Sequence, residues 1–427
     1  MKFYSTHRAV EMTSFREAVI KGLPADNGLF MPESIPALDQ AFLNNLANLS
    51  LPEIAHTVAL PFVDGEIPSG VLQTIVEETL AFALPVVNVH DNIFSLELFH
   101  GPTCAFKDVG ARFLARCLSH FSDEKVTVLV ATSGDTGSAV ANGFLGVENV
   151  DVIILYPKGK VSHLQEQQLT TLGQNITALE VEGTFDDCQS MVKHAFLDKE
   201  LNKAIKLTSA NSINIARLLP QSFYYFWAMA QMKDHEKVTF SVPSGNYGNL
   251  TAGLLAKSMG LNIHGFVASS NINDIVPKYI KTGSFESKPS KQTISNAMDV
   301  GNPSNFGRMT ELYGQSWEKL TDNITGFSYN DHETKTAMKE VYEQYNYVLD
   351  PHGAVGYLGL TEYLKNNNGT GVFLETAHPA KFIDTVTEVI GEIEIPERLS
   401  VYLEKEKKST LISNSYGALR ACLLGQH

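Results

Sequence analysis

The sequence predicts an α/β protein built on parallel sheets, and three observations carry the prediction. From about Val126 a unit recurs in which a short apolar run leads into a polar, glycine-bearing turn and then a segment of helical period. The runs (VTVLVA, VDVIILY, KVTFSV, GVFLE) are continuous rather than alternating, as in strands covered on both faces. Strands alternating with helices pair in parallel through right-handed crossovers.

In chain order, residues 1–90 lack this rhythm. They hold the helix-period segments SFREAVIKGL and SGVLQTIVEETLAFAL around the turn-rich ADNGLFMPESIP, and are expected to form a separate N-terminal region of mixed helical character. In HGPTCAFKDVGARF and the residues after it, Phe106, Val109, Phe113, Cys117 and Phe121 recur at steps of three and four. That spacing predicts a helix with Lys107 in its first turn. VTVLVA then leads into TSGDTG and SAVANGFLG, and VDVIILY into PKGKVS and HLQEQQLTTLG. AIKLT leads into SANSIN and the strongly apolar IARLLPQSFYYFWAMAQM; KVTFSV into PSGNYG and NLTAGLLAKSMG; GVFLE into TAHPAKF and IDTVTEVIG. The charged RLSVYLEKEKKST beyond Pro396 predicts a surface extension.

With 427 residues, 44% of them hydrophobic and 19% charged, the chain should bury a large core and divide into two or three domains. A net charge of −14 argues against a nucleic-acid or anionic-membrane partner. An anionic small molecule then needs a local positive field from helix N-termini and a few Lys or Arg. Cys104, Cys117, Cys188 and Cys422 include no C-x-x-C pair, which suits free thiols in a reducing compartment. The opening MKFYSTHRAVEMTSF has no apolar signal core, and no run is long enough to span a bilayer. A soluble cytoplasmic protein is expected; a monomer and a homodimer both remain open.

In parallel α/β folds ligands bind beyond the carboxyl ends of the strands, where the polar turns lie. In SVPSGNYGNLTAG, Gly245 and Gly248 flank Asn246 and Tyr247 between a strand and a helix. Several N–H groups can there point into one concavity at a helix N-terminus, a phosphate cradle. A tight turn without a ligand is the alternative. TSGDTG offers the hydroxyls of Thr132, Ser133 and Thr136 to a carboxylate, but Asp135 would repel one unless it faces a hydroxyl or a cation. Either Ser133 or Asp135 could equally cap the helix. Asn214 could be a cap and Arg217 a surface ion pair; Lys160 and Ser162 in PKGKVS could belong to a solvated turn. Thr376 stands at a strand end. A lone loop histidine such as His378 is more often structural. With no H-E-x-x-H, no Cys/His metal spacing and no G-x-S-x-G, neither a metal site nor a serine hydrolase is expected.

Lys107 stands where the helix dipole disfavours a cation by about 0.3–1 kcal/mol. A snorkelling lysine is the ordinary alternative. Yet the same setting lowers an amine's pKa, as a Schiff-base lysine requires. An imine-forming lysine, a phosphate cradle and a carboxylate-compatible turn together suit pyridoxal 5′-phosphate acting on an amino acid.

HGPTCAFKDVGARF, ATSGDTGSAV, SANSINIARLLPQ, SVPSGNYGNLTAG, NAMDVGNPSNF, DPHGAVGY and TAHPAKF, in this order, resemble the threonine synthase family, within the tryptophan-synthase-β (fold type II) group of pyridoxal-phosphate enzymes. The resemblance runs nearly end to end and includes DNGLFMPE in the family's N-terminal domain. It implies two parallel-sheet α/β domains with the cofactor in the cleft: an N-terminal domain 1–90, a large domain 91–125 and 211–400, a small domain 126–210, and a tail 401–427. It implies Lys107 as the cofactor-bonding and catalytic lysine. Gly245, Asn246, Tyr247 and Asn249 fall in the cofactor phosphate loop, although relatives often carry Phe at the position of Tyr247 and Asp at that of Asn249. Thr376 falls at the pyridine nitrogen. Asp135 falls near the ring hydroxyl, and Thr132, Ser133, Gly134 and Thr136 at the substrate carboxylate. The reaction implied is O-phospho-L-homoserine and water to L-threonine and phosphate. It needs a second anion site, for which Lys160, Ser162, Asn214 and Arg217 are the candidates; the place of TSGDTG in the inserted segment suggests that the small domain closes on the substrate carboxylate. A fold type II dehydratase or sulfhydrylase-like enzyme would need no such site, and a binding-only relative would need no Lys107.

Overall fold

The computed structural model describes residues 1–122 and 124–425. Strands β1 (Phe3–Ser5) and β2 (Phe30–Pro32) pair antiparallel near the N-terminus. A hairpin follows, β3 (Val86–His90) and β4 (Ile93–Glu97). Then come β5 (Val126–Ala131), β6 (Val150–Pro157), β7 (Ile176–Glu182), β8 (Leu207–Ser209), β9 (Val238–Pro243), β10 (Gly265–Ser270), β11 (Ile324–Ser328), β12 (Thr370–Glu375) and β13 (Thr410–Ser413). One sheet has the order β11-β10-β9-β12-β4-β3 and is parallel except for β3; the other, β13-β7-β6-β5-β8, is parallel throughout.

The apolar runs of the sequence are β5, β6, β8, β9 and β12. β9, β10 and β12 are buried at every position, so their apolar runs have no polar face to alternate with. Buried Ser241 and Ser269 on β9 and β10 hydrogen-bond to each other at 2.9 Å. Helices Leu51–Val63 and Ser69–Thr79 of the N-terminal region pack behind the helix Lys107–Phe121. Val58, Phe62, Leu72 and Val76 join Phe113, Leu114 and Phe121 in one core. The N-terminal region is thus the support on which the lysine helix rests.

Two expectations need correction. The segment from Ile215 is not one helix: Ile215–Leu218 tightens to a 3-10 turn, Leu219–Ser222, before Phe223–Gln231 resumes. Pro220 lacks the N–H that a continuous α-helix requires. Residues 401–427 are not a surface extension where described. β13 adds to the edge of β7, and helix Tyr416–Leu423 packs Leu419 and Leu423 against Val181, Cys188 and Met191. Lys407 reaches Glu166 at 2.7 Å and Glu180 at 2.9 Å, so the charged run pins this segment.

Candidate active site

The C-terminal ends of both sheets point toward one cleft. From β4 the chain turns at Cys104, whose φ of 55° is left-handed. The Phe106 N–H donates to the Thr376 carbonyl at 2.8 Å, and Ala105 bridges Ala377. These bonds set Lys107, first residue of its helix, beside Thr376 at the end of β12. Asp108 does not balance the lysine: its carboxylate turns back to accept from Thr103 N–H at 2.9 Å and Thr103 Oγ1 at 2.6 Å. Burial lowers the Lys107 pKa to about 8; Arg217 and Lys381 push the same way, and Asp135 opposes them.

Across the cavity, β9 ends at Pro243 and helix Gly248–Ser258 begins after Tyr247, itself left-handed with φ 60°. Among the described residues, the N–H groups of Gly245, Asn246, Tyr247, Gly248 and Asn249 have no protein acceptor. All five residues line the cavity that also holds Lys107. A phosphate group fits this donor set, with the dipole of the following helix in support. The Asn249 side chain serves the turn itself. Its Oδ1 accepts from Ser244 Oγ at 2.7 Å and its Nδ2 donates to Pro243 O at 2.9 Å, locking the turn. Tyr247 is likewise held by its hydroxyl against Ser270 Oγ, and Asn246 Oδ1 accepts from Ser304 N–H at 3.2 Å.

At the end of β5 the Thr132 hydroxyl folds inward. It accepts from Gly134 N–H at 3.0 Å and Gly137 N–H at 2.8 Å, capping helix Asp135–Phe144. Thr132 itself also lines the cavity that holds Lys107. Ser133, Asp135 and Thr136 line the cavity; Gly134, with φ 140°, lies against Gln165. Asp135 faces a cation, Lys381 Nζ at 2.7 Å, and accepts from Gln165 Nε2 at 3.0 Å. Burial pushes its carboxyl up, but Lys381 and Lys107 outweigh burial and hold it below the usual carboxylate range.

The four second-anion candidates separate. Arg217 lines the inner cavity with a buried, unpartnered Nε, and burial lowers its pKa to about 10. Lys160 and Ser162 line an outer cavity of about 550 Å³, which meets the inner one (about 90 Å³) at Ser133 and Phe185. Ser162 also caps helix His163–Thr170 and donates to Lys381 O at 3.1 Å. Asn214 is a correction. It is fully buried, donates to Val19 O and Ser209 O, and caps its own helix, facing away from both cavities.

Sequence reasoning missed Lys381, Gln221 and His352 as cavity residues. His352 Nε2 accepts from Ala297 N–H at 3.2 Å, so Nδ1 carries the proton and donates to Asp350 at 2.6 Å. The signals of Lys381 and His352 lay within TAHPAKF and DPHGAVGY and that of Gln221 at the end of SANSINIARLLPQ, but Asp-Pro and His-Pro also start helices, and nothing local separates the two uses. His378 is structural: its Nδ1 accepts from Ala380 N–H at 3.1 Å. No helix among the described residues is long and apolar enough to cross a membrane.

An amine of lowered pKa opposite five unpaired backbone donors fits a phosphorylated aldehyde. Sequence comparison agrees. Models described as pyridoxal-phosphate dependent enzyme, threonine synthase N terminus and threonine synthase C-terminal match residues 78–373, 2–80 and 353–423. The chain is 47% identical to a threonine synthase of Haemophilus influenzae over 99% of this chain and 100% of the relative. It is 43% identical to that of Escherichia coli over 99% of each. The Escherichia coli threonine synthase crystal structure superposes with a TM-score of 0.95 at 43% identity, covering 100% of both chains. A pyridoxal-phosphate-bound threonine synthase structure from Brucella melitensis gives 0.92 at 35% identity, covering 100% of this chain and 99% of that one.

Proposed function

The chain belongs to the threonine synthase family of pyridoxal-phosphate-dependent enzymes, and from that premise we propose how its own residues divide the conversion of O-phospho-L-homoserine and water into L-threonine and phosphate. Pyridoxal 5′-phosphate, when bound, supplies an electron sink conjugated to the substrate α-carbon. Lys107 Nζ is the group that would bond its aldehyde, and the same amine, once free, would be placed to take the α-proton. The N–H groups of residues 245–249 would hold the cofactor's phosphate, and Thr376, on the same cavity, would offer the ring nitrogen a neutral hydroxyl. Ser133, Gly134 and Thr136 receive the substrate carboxylate at the N-terminus of helix Asp135–Phe144, where the dipole favours an anion.

The leaving phosphate needs cations that Lys107 and the nest do not supply. Arg217 at the inner cavity and Lys160 with Ser162 at the outer one are the groups placed for it. Among the described residues Arg217 is locked to no carboxylate; its Nη1 donates to Ala210 O, so its charge is left for an incoming anion. Residues 126–210 act as the unit that closes on the substrate against 91–125 and 211–400. The unpaired thiols of Cys104, Cys117 and Cys188 support a reducing compartment such as the cytoplasm.

The observation that carries this reading is the lysine amine and the unpaired N–H nest in one cavity. Purified protein should show a visible cofactor band that Lys107→Ala abolishes, and should release phosphate and form threonine from phosphohomoserine. Formation of 2-oxoacid from threonine without phosphate release would instead indicate a dehydratase.

A further inference from the structure

Lys381 is a fully buried cation that the reaction as described leaves without a role. Its Nζ lies 2.7 Å from Asp135 Oδ1 and donates to Thr103 O at 3.0 Å, so one ammonium hydrogen has no acceptor among the described residues. Lys381 lines the outer cavity, while Asp135 lines the inner one beside Lys107. The pair therefore bridges the two.

An unneutralised carboxylate beside Lys107 would hold that amine as an ammonium, useless as a nucleophile. Besides burial, two cations, Arg217 and Lys381, oppose this pull on Lys107, and of the two Lys381 is the one in direct contact with Asp135. Asp108 is turned to Thr103, and the Tyr224 hydroxyl donates to Phe106 O. His352 donates to Asp350 and Tyr247 is bonded to Ser270, leaving Arg217 as the other fixed cation. Locked to Lys381, Asp135 presents to Lys107 one end of a dipole rather than a net charge, and Lys381 adds its own repulsion.

We propose that Lys381 is a positioning residue for Lys107: by neutralising Asp135 it raises the fraction of the catalytic amine that is uncharged and able to bond the cofactor aldehyde. The inference rests on Lys107 being the lysine that bonds the cofactor.

The test uses the full-length chain freed of cofactor and mixed with pyridoxal 5′-phosphate between pH 6 and pH 10. The rise of the visible band gives the capture rate, and competitive acetylation read by mass spectrometry at Lys107 gives a cofactor-free titration of the same amine. The wild-type half-point is expected near the pH of about 8 given by its pKa. Lys381→Met should move both half-points up by about 1–2 units, slowing capture at pH 7.5 about tenfold. Asp135→Asn should move them down, and the Lys381→Met/Asp135→Asn double variant should return to within about half a unit of wild type. Opposed single shifts with mutual rescue are not produced by a loss of packing alone. Should Lys381→Met fail to fold, Lys381→Gln, which keeps a donor toward Asp135 and Thr103, takes its place. A folded Lys381 variant whose half-points stay at the wild-type values, or a double variant no nearer to wild type, overturns the proposal. Wild-type protein that captures no cofactor overturns instead the reading of Lys107 on which it rests.

Discussion

Lys107 occupies a position that helix electrostatics assign to an acid, and its surroundings weaken its hold on the proton rather than balance its charge. Its pKa is about 8 in the folded chain and near 10.5 when unfolded, so below pH 8 both states bind the proton and the folded state bears the full cost of burying it. That cost fades as pH rises from 8 to 10.5, where only the unfolded chain still binds the proton. Lys107→Met should therefore stabilise the cofactor-free chain at pH 7 by about 1–3 kcal/mol, allowing for water in the cavity. The gain should shrink to nearly nothing by pH 10.5, which urea melts at several pH values would measure. Such a residue is legible in a sequence because it breaks a local rule, a lysine opening an apolar helix. Lys381 is not legible in that way. Its partner Asp135 opens the helix that follows β5 of the other sheet, and only the fold brings it to 2.7 Å from a lysine in the 3-10 turn Pro379–Phe382.

The glycine turn after β9 is held on two sides. A Cβ built on Gly245 would come within 2.8 Å of Ala297 O and Met298 Cα, both backbone atoms that cannot rotate away. Gly245→Ala should push the turn from the segment 296–300, misaim the N–H groups, and weaken cofactor affinity at least tenfold with little change in melting temperature. Equilibrium dialysis against pyridoxal 5′-phosphate would show it; unchanged affinity would mean the turn yields freely. Elements buried on both faces, such as β9 and β12, are readable because nothing interrupts their apolar runs. The hairpin β3–β4 and the strand β13 are not: five-residue and four-residue strands next to polar runs resemble loops until a neighbouring strand supplies their hydrogen bonds. β10 escapes for a related reason, since its Ser269 and Ser270 read as a turn.

At the scale of the molecule, two parallel sheets turn their carboxyl ends to one cleft, while the N-terminal region supports the lysine helix from behind. Fully buried Arg308 ties that region to the cleft, donating to Phe30 O at 2.9 Å and to Ile213 O at 2.7 Å. Because Ser133 and Phe185 belong to the second sheet's segments and Lys107 to the first sheet's, a substrate spanning both cavities should draw them together. Small-angle scattering should record a smaller radius of gyration with a phosphonate analogue of the substrate than without it. An unchanged radius would mean that the cleft is preformed. The architecture was legible from the alternation of runs and turns. Membership of the second sheet was not, because its edge strand comes from residues 410–413. During synthesis β7 leaves the ribosome at residue 182, and its outer edge waits for a strand that is not translated until residue 410. Through that interval the nascent chain carries an open template for pairing with other polypeptides. Translation halted just before residue 410 should therefore yield a product that aggregates or requires a chaperone.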